Sequence, residues 1–156
     1  MTGRTYRYPS QAENLYPFGY GLSYSTFLYS NLTVPANVEA GGYINGQVMV
    51  KNTGRFDADE VVQIYVSWQN PTVPTPALQL VSFGRLTVPQ GEQLLYEFTV
   101  AADQIGVWHD DRGWVVENGQ INVFAGGQQP NQARNVGSNV LVAEVQIITT
   151  TNLGKF

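Results

Sequence analysis

Apolar and polar residues alternate along most of the chain from residue 25 onward, in short runs that end at glycine, proline or asparagine. Such alternation predicts half-buried β-strands, because successive side chains of a strand point to opposite faces. The run Gln93–Val100 shows the pattern most clearly, with Leu94, Tyr96, Phe98 and Val100 on one face and Gln93, Glu97 and Thr99 on the other. Many short strands separated by frequent turns are typical of an all-β sandwich.

The same pattern predicts seven or eight strands and almost no helix. Besides Gln93–Val100, the predicted strands are Thr26–Val34, Tyr43–Lys51, Glu60–Trp68, Leu78–Val88, Trp114–Glu117, Gln120–Ala125 and Asn139–Thr149. In Glu60–Trp68 the alternation points Val62, Ile64 and Val66 inward, with Gln63 and Tyr65 on the opposite face. Asp103–Trp108 is predicted to form one short helical turn.

The segments between these runs predict how the strands are connected. Asn118-Gly119 is a dipeptide suited to a tight hairpin turn, so we expect the strands on either side of it to pair. Gln69–Pro76 contains three prolines, which remove ladder donors, and it is predicted as an extended crossover between two sheets. Asn52-Thr53-Gly54 predicts a turn, Gly126–Gly137 a loop, and Thr150–Phe156 a flexible tail.

The first 24 residues follow a different pattern. Aromatic residues and glycines crowd the strings Gly3–Tyr8, GRTYRY, and Leu15–Tyr24, LYPFGYGLSY, at spacings that fit neither a helix nor an alternating strand. Such a segment is typical of a fixed irregular connection whose rings are held against neighbouring structure. The sequence therefore predicts an interdomain arm or linker at 1–24, a sandwich at 25–149, and the tail at 150–156.

Composition and charge narrow the classes of partner. The net charge is −4, and the 8 lysines and arginines are not clustered, which argues against nucleic acid and anionic membrane surfaces. No apolar run approaches the ~20 residues that cross a bilayer. The chain has no cysteine, so disulfides, thiolate metal sites and a cysteine nucleophile are excluded.

The signals for cellular location point in two directions. Asn31-Leu32-Thr33 fits the N-glycosylation sequon, which marks Asn31 as a candidate glycosylation site and favours a secreted, extracellular protein. The opening residues MTGRTYRY contain no apolar signal core, so we expect that any export signal would be encoded upstream.

The titratable residues offer no convincing catalytic or metal site. General acid–base catalysis needs titratable side chains that are positioned within reach of a substrate rather than engaged in turns. The candidate acids are Asp57, Asp59 and Glu60, and the pair Asp110 and Asp111. Asp57, Asp59 and the Asp110-Asp111 pair lie at predicted turns, where acids serve a structural role, and Glu60 begins a predicted strand. His109 is the single histidine and is expected to be a partly exposed turn residue. We therefore predict no catalytic residue, no cofactor and no metal ligand.

Five strings in order carry a resemblance to a known family. They are LYPFGYGLSY; Asn52-Thr53-Gly54 with Glu60–Val66, EVVQIYV; Leu80–Leu86, LVSFGRL; Pro89–Glu92, PQGE; and Trp114–Gly119, WVVENG. Together they resemble the fibronectin type III-like domain that closes family 3 glycoside hydrolases, over roughly residues 1–149. The string Val123–Pro130, VFAGGQQP, leans toward the β-xylosidase-like branch. Two departures, Ser82 in place of glycine and no basic residue near Leu78, affect this subfamily assignment more than the fold.

The resemblance implies an immunoglobulin-like sandwich that is inert by itself. In that family the nucleophile and the acid/base lie in domains that precede this segment, and the Ser-Asp-Trp nucleophile motif is absent from this sequence. The implied function is an accessory module that stabilises the catalytic domains of its parent hydrolase, its expected partners. The residues expected to pack between domains are Tyr6, Tyr8, Tyr16, Phe18, Tyr20 and Tyr24. Without the preceding domain, this exposed arm predicts homodimers or low solubility.

Two alternatives stay open. The first is a carbohydrate-binding module that contacts polysaccharide through Trp68, Trp108 and Trp114, of which Trp68 is expected to be the most exposed. Aromatic side chains equally supply the cores of sandwiches, so a purely structural role competes with this interpretation. The second alternative is a free-standing extracellular interaction protein derived from such a hydrolase.

Overall fold

The structure, a computed structural model, describes residue 7 and residues 16–130 and 139–154. Tyr6 and Tyr8, most of the predicted arm before residue 16, and the predicted loop from residue 131 onward lie outside these residues. The strands are β1 Phe27–Thr33, β2 Asn37–Val38, β3 Tyr43–Asn52, β4 Ala58–Trp68, β5 Gln79–Val88, β6 Gln93–Ala101, β7 Val107–His109, β8 Gly113–Val116, β9 Gly119–Gly126, β10 Leu141–Ile147 and β11 Thr151–Gly154. In the described segments, no helix is long and apolar enough to cross a bilayer.

Two sheets form a β-sandwich, which confirms the predicted fold class. One sheet has the order β1-β3-β6 and the other the order β2-β10-β9-β4-β5. The inward residues of both sheets meet in one hydrophobic core, with Val48 and Val50 from β3 and Val62 and Ile64 from β4 fully buried. Burial of this apolar surface supplies the main driving force for folding.

The alternation that predicted β6 is confirmed by its burial. Phe98 and Val100 are buried in the core, whereas Glu97 and Thr99 on the opposite face are exposed. Gly46 pairs with Phe98 across the β3–β6 ladder. A Cβ atom at Gly46 would lie 2.3 Å from the Phe98 ring, so the ring occupies space that any larger residue would need.

The predicted hairpin across Asn118-Gly119 is wrong. Strand β8 pairs with β7 and β11 in a small third sheet, whereas β9 pairs with β4 and β10 in the sandwich. The Asn118 side chain donates to the Ile148 carbonyl and its backbone N–H donates to Thr150 Oγ1. Gly119 lies against Trp68, whose ring would be 3.2 Å from an added Cβ atom. The dipeptide therefore joins two sheets.

Three further expectations need correction. Gln69–Pro76 is not a crossover between sheets, because β4 and β5 are antiparallel neighbours in the same sheet. The tail from residue 150 is not all flexible, since β11 pairs with β8. The strand count is higher than seven or eight because the short strands β2, β7 and β11 are added. The helical turn is observed as a 3-10 turn at Ala102–Ile105, after which Trp108 lies in β7.

Candidate functional site

The outer face of β4 is covered at Gln63 and Tyr65, although the sequence pattern placed these residues simply opposite the core. Their exposed fractions are 5% and 0%. Gln63 Nε2 donates to the carbonyl oxygens of Gly19 at 3.2 Å and Gly127 at 2.9 Å. Gln63 Oε1 accepts the Tyr65 hydroxyl at 2.7 Å. The nitrogen end of the buried amide therefore holds two loops on the sheet, while its oxygen end is fixed by Tyr65 of the same strand.

Residues 16–24, here called the aromatic arm, are the segment that Gln63 holds. The backbone N–H of Gln129 donates to the Phe18 carbonyl oxygen at 2.8 Å, which adds a second attachment. Tyr16 and Tyr20 stack with ring centroids 5.1 Å apart and planes within 10°. The apolar cluster of Tyr65, Leu78 and Phe124 lies under this side of the sheet.

Much of the apolar surface of the arm faces solvent. The large exposed side chains are Tyr16, Phe18, Leu22 and Tyr24, the last two more than nine-tenths exposed. Exposed Phe83 continues this surface, because it pairs with Gln63 across the β4–β5 ladder. The exposed arm and Phe83 together make a patch of the kind that marks interaction sites on proteins.

A second surface feature is a groove of about 740 Å³ beside the small third sheet. Trp108 and Trp114 pair across β7 and β8, and their rings meet edge to face with centroids 5.7 Å apart. They are 43% and 42% exposed. The groove is also lined by Pro74 and Pro76 of the proline-rich segment and by Asp103 and Gln104 of the 3-10 turn. This feature is called the tryptophan groove below.

The expectation that Trp68 is the most exposed tryptophan is wrong. Its ring is half-buried against the core, and its Nε1 donates to the Ile105 carbonyl oxygen at 3.0 Å. Trp68 does not line the tryptophan groove, but it fixes the 3-10 turn that does. The strand pattern could not reveal this, because Trp68 ends β4 where the chain leaves the sheet.

His109 is buried, not a partly exposed turn residue. It is 7% exposed, and its Nε2 lies 2.8 Å from Glu117 Oε1 while its Nδ1 lies 2.9 Å from Arg112 Nη2. A guanidinium only donates, so Nδ1 accepts and Nε2 carries the proton that is donated to Glu117. The histidine thus links a strand, a turn and a buried carboxylate.

Glu117 connects this network to the proline-rich segment. It accepts hydrogen bonds from both the hydroxyl and the backbone N–H of Thr72. Burial by itself would raise the pKa of Glu117, but the hydrogen bonds from Thr72 and His109 outweigh it and lower the pKa below its ordinary value. The result is an ionised carboxylate that ties one wall of the tryptophan groove to β7.

The candidate acids near Asn52-Thr53-Gly54 have structural partners. Asp57 accepts the backbone N–H of Gln90, and Asp59 accepts from Arg85 and Thr87. Asp59 belongs to β4 rather than to the turn in which it was expected, whereas Glu60 lies in β4 as its predicted strand requires. The Tyr29 hydroxyl donates to Glu60 at 2.8 Å. Burial raises the pKa of Glu60, and this hydrogen bond offsets only part of the rise.

The remaining candidate acids, Asp110 and Asp111, and the candidate glycosylation site Asn31 lie near exposed turns and strand edges. Asp110 accepts the indole N–H of Trp108 at 3.2 Å, and Asp111 lies 3.6 Å from Arg112. Within the part of the chain that the structure describes, no three histidine, cysteine or acidic side chains could together hold a metal ion. Asn31 is exposed, with a φ of 53° at an irregularity of β1.

Comparison with known proteins places this arrangement in a family. Residues 60–129 match the family model of the fibronectin type III-like domain. A periplasmic β-glucosidase of Salmonella typhimurium is 34% identical over 124 residues, which are 78% of this chain and 16% of that protein. A β-xylosidase of Formosa agariphila is 35% identical over 122 residues, which are 78% of this chain and 17% of that protein.

The structural likeness covers the same small share of a larger protein. The structure of β-glucosidase 3B from Thermotoga neapolitana in complex with α-D-glucose matches 90% of this chain with a TM-score of 0.75 and 27% identity, and the match covers 18% of that chain. This chain therefore spans about a sixth of the length of the curated relatives that it matches. Fold and sequence together show that it belongs to the fibronectin type III-like domains of family 3 glycoside hydrolases.

Proposed function

We propose that this chain is the non-catalytic module of a family 3 β-glycosidase and stabilises the catalytic domains by covering part of their surface. The observation that carries the proposal is the aromatic arm, which is fixed to the sandwich by its backbone while its side chains remain exposed. An arm that served only the sandwich would bury its rings against it.

The chemistry of the arm supports a large protein partner. Leu22 and Tyr24 are 93% and 94% exposed, and Phe83, which pairs with Gln63 across the β4–β5 ladder, is 69% exposed. Burying apolar side chains of this size contributes about 1.5–3 kcal/mol each. The backbone attachments at Gly19 and Phe18 hold the arm in place, so less ordering entropy would be lost when a partner covers it.

The partners of the acidic side chains support the absence of catalysis. A glycosidase acid needs a free carboxyl group that faces substrate. Instead, Asp59 is engaged by Arg85 and Thr87, and Glu60 lies under the Tyr29 hydroxyl. Asp57 is held by a backbone N–H. We propose that each of these acids stabilises the local fold.

For the substrate of the parent we propose a β-linked glycoside of xylose or glucose. The string VFAGGQQP favours the xyloside. The relatives named above support both sugars about equally, since one is a β-glucosidase at 34% identity and one a β-xylosidase at 35%. We further propose a location outside the cytoplasm, because one of these relatives is periplasmic and the exposed Asn31 sequon is accessible to modification.

The test compares the full-length parent enzyme with a version that ends before residue 16 of this chain. The gene of the full-length enzyme is identified by reading the genomic sequence upstream of Met1. We expect truncation to lower the temperature of half-inactivation by at least several degrees, because an apolar surface of the catalytic domains becomes exposed. A Leu22→Ser/Tyr24→Ser variant should show a smaller decrease with kcat/KM of the remaining active fraction unchanged. A truncated enzyme with the thermal stability of the full-length enzyme would refute the proposal.

A further inference from the structure

We propose that the tryptophan groove binds neutral β-linked oligosaccharides, so that this module contacts polysaccharide as well as its own catalytic domains. The choice of xylose and glucose oligomers as ligands rests on the proposed function. The groove itself lies on the small third sheet, and its lining residues do not include those of the aromatic arm. Sugar binding and interdomain packing can therefore be tested separately.

The two indoles supply the apolar part of the site. Sugar rings have apolar C–H faces that stack on aromatic side chains, and both Trp108 and Trp114 keep more than two-fifths of their surface exposed. Their planes are inclined at 74°. The pair thus presents indole surfaces in two orientations, which suits two successive sugar rings better than one flat platform would.

The polar residues of the groove suit hydroxyl groups. Asp103, Gln104 and Gln79 line it and offer carboxylate and amide groups, which accept from and donate to hydroxyls. The described lining contains one acidic side chain, Asp103, and one basic side chain, Arg7. Because these opposite charges balance, the lining favours a neutral polyol over an anionic ligand.

The groove has the size and rigidity of a binding site. Its volume of about 740 Å³ falls within the ~300–1,000 Å³ typical of ligand sites. Gln79 Nε2 donates to the Gln104 carbonyl oxygen at 2.8 Å, and this bond joins β5 to the 3-10 turn. The hydrogen bonds from Thr72 to Glu117 hold the proline-rich wall. A lining fixed before binding loses less entropy when ligand arrives.

The experiment titrates the purified chain with xylohexaose and with cellohexaose up to about 10 mM, which covers millimolar affinities. Binding is followed by the indole N–H signals in ¹H–¹⁵N NMR spectra. We expect saturable shifts of the Trp108 and Trp114 signals with at least one oligomer, and smaller shifts of the Trp68 signal. Trp108→Ala and Trp114→Ala should each weaken binding at least about tenfold, as central aromatic contacts do.

Three controls keep the result specific. Phe83→Ala removes an aromatic ring that is more exposed than either tryptophan but lies outside the groove, and it should leave the affinity unchanged. Asp103→Asn, an exposed change that spares the core, should alter affinity by less than the tryptophan variants while the circular dichroism spectrum stays the same. A glucuronic acid oligomer should bind more weakly than its neutral counterpart. The proposal is overturned if neither neutral hexaose gives saturable shifts, or if binding survives both tryptophan substitutions.

Discussion

Gln63 and Gly19 fit together without any free space between them. The Gln63 side chain donates to the Gly19 carbonyl oxygen, and a Cβ atom at Gly19 would lie 2.1 Å from Gln63 Oε1. Gly19 also has a φ of 81°, in the left-handed region that L-residues with side chains rarely adopt. Together with the hydrogen bond from Gln129 to Phe18, this contact fixes where the aromatic arm crosses the sheet.

The contact predicts that Gly19→Ala releases the arm. Left-handed backbone costs a residue with a Cβ roughly 1–2 kcal/mol, and the clash with Gln63 adds to this cost. Chymotrypsin cleaves after aromatic residues. Limited digestion should therefore cut the aromatic arm of the variant faster than that of the unmodified chain. Gly41→Ala is the matched control, because Gly41 has a φ of 85° with open space around it. Equal protection of the arm in both variants would contradict the assigned role of the contact.

Asn52 predicts a large loss of stability on substitution. It is fully buried, its Nδ2 donates to the carbonyl oxygens of Phe56 and Val88, and its Oδ1 accepts the Gly54 N–H. Asn52→Leu would leave these groups unpaired, and we expect a decrease of about 2–4 kcal/mol in the free energy of unfolding. Urea denaturation of the variant and of the unmodified chain measures this decrease.

The matched control for this substitution is Asn45→Ala in the same strand. Asn45 is exposed and hydrogen-bonds Thr99 on the surface. A surface substitution of this kind should change the stability by less than about 0.5 kcal/mol. If Asn52→Leu proved no more harmful than Asn45→Ala, the buried amide would not organise the turn.

The raised pKa of Glu60 predicts a specific dependence of stability on pH. Its folded-state pKa lies above the ordinary value of 4.5, so its contribution is fully present below that value and is lost as pH rises through the folded pKa. Glu60→Gln removes the titration. Relative to the unmodified chain, this variant should become progressively more stable as pH rises from the ordinary value of 4.5 through the folded-state pKa of Glu60.

Tyr29→Phe tests the raised pKa of Glu60 by removing the hydroxyl that donates to this carboxyl group. The Tyr29 hydroxyl lowers the pKa of Glu60 against the larger effect of burial, so its removal should raise that pKa further and extend the pH window upward. Stability of all three proteins is measured by urea denaturation across the pH range. If the free energy of unfolding changed with pH in the same way for the unmodified chain and for Glu60→Gln, the argument that burial raises the pKa of Glu60 would be contradicted.

The exposed arm predicts self-association of the chain when it is purified without the rest of its parent. We expect the weight-average mass in sedimentation experiments to rise with concentration, and Leu22→Ser/Tyr24→Ser to suppress this rise. Val142→Ser is the control, because Val142 is exposed on β10. A chain that stayed monomeric at every concentration would contradict self-association through the exposed apolar side chains of the arm.

The sequence pattern predicted the elements whose burial follows from their own alternation. Strand β6 is an example, since Phe98 and Val100 face the core as their spacing requires. It failed where burial depends on side-chain networks and covering segments that the alternation of a single strand does not encode. His109 lies in a three-residue strand and becomes buried through Arg112 and Glu117, and Gln63 becomes buried because an arm more than forty residues earlier covers it.

Turn chemistry was equally insufficient at Asn118-Gly119. The dipeptide is locally suited to a hairpin, but pairing is decided by the sheets that the flanking strands can join. Strand β9 finds partners in β4 and β10, and β8 finds them in β7 and β11. The tryptophan groove follows from this separation, since the cross-strand pair of Trp108 and Trp114 belongs to the third sheet.

The proposed function has at its centre that this chain is a module of a glycosidase and does not itself catalyse hydrolysis. The most direct measurement is the rate at which the purified chain releases nitrophenol from p-nitrophenyl β-D-xyloside and p-nitrophenyl β-D-glucoside. The account predicts rates equal to those of buffer for both substrates. Turnover that copurifies with the chain and is abolished by Glu60→Gln or by Asp59→Asn would contradict it.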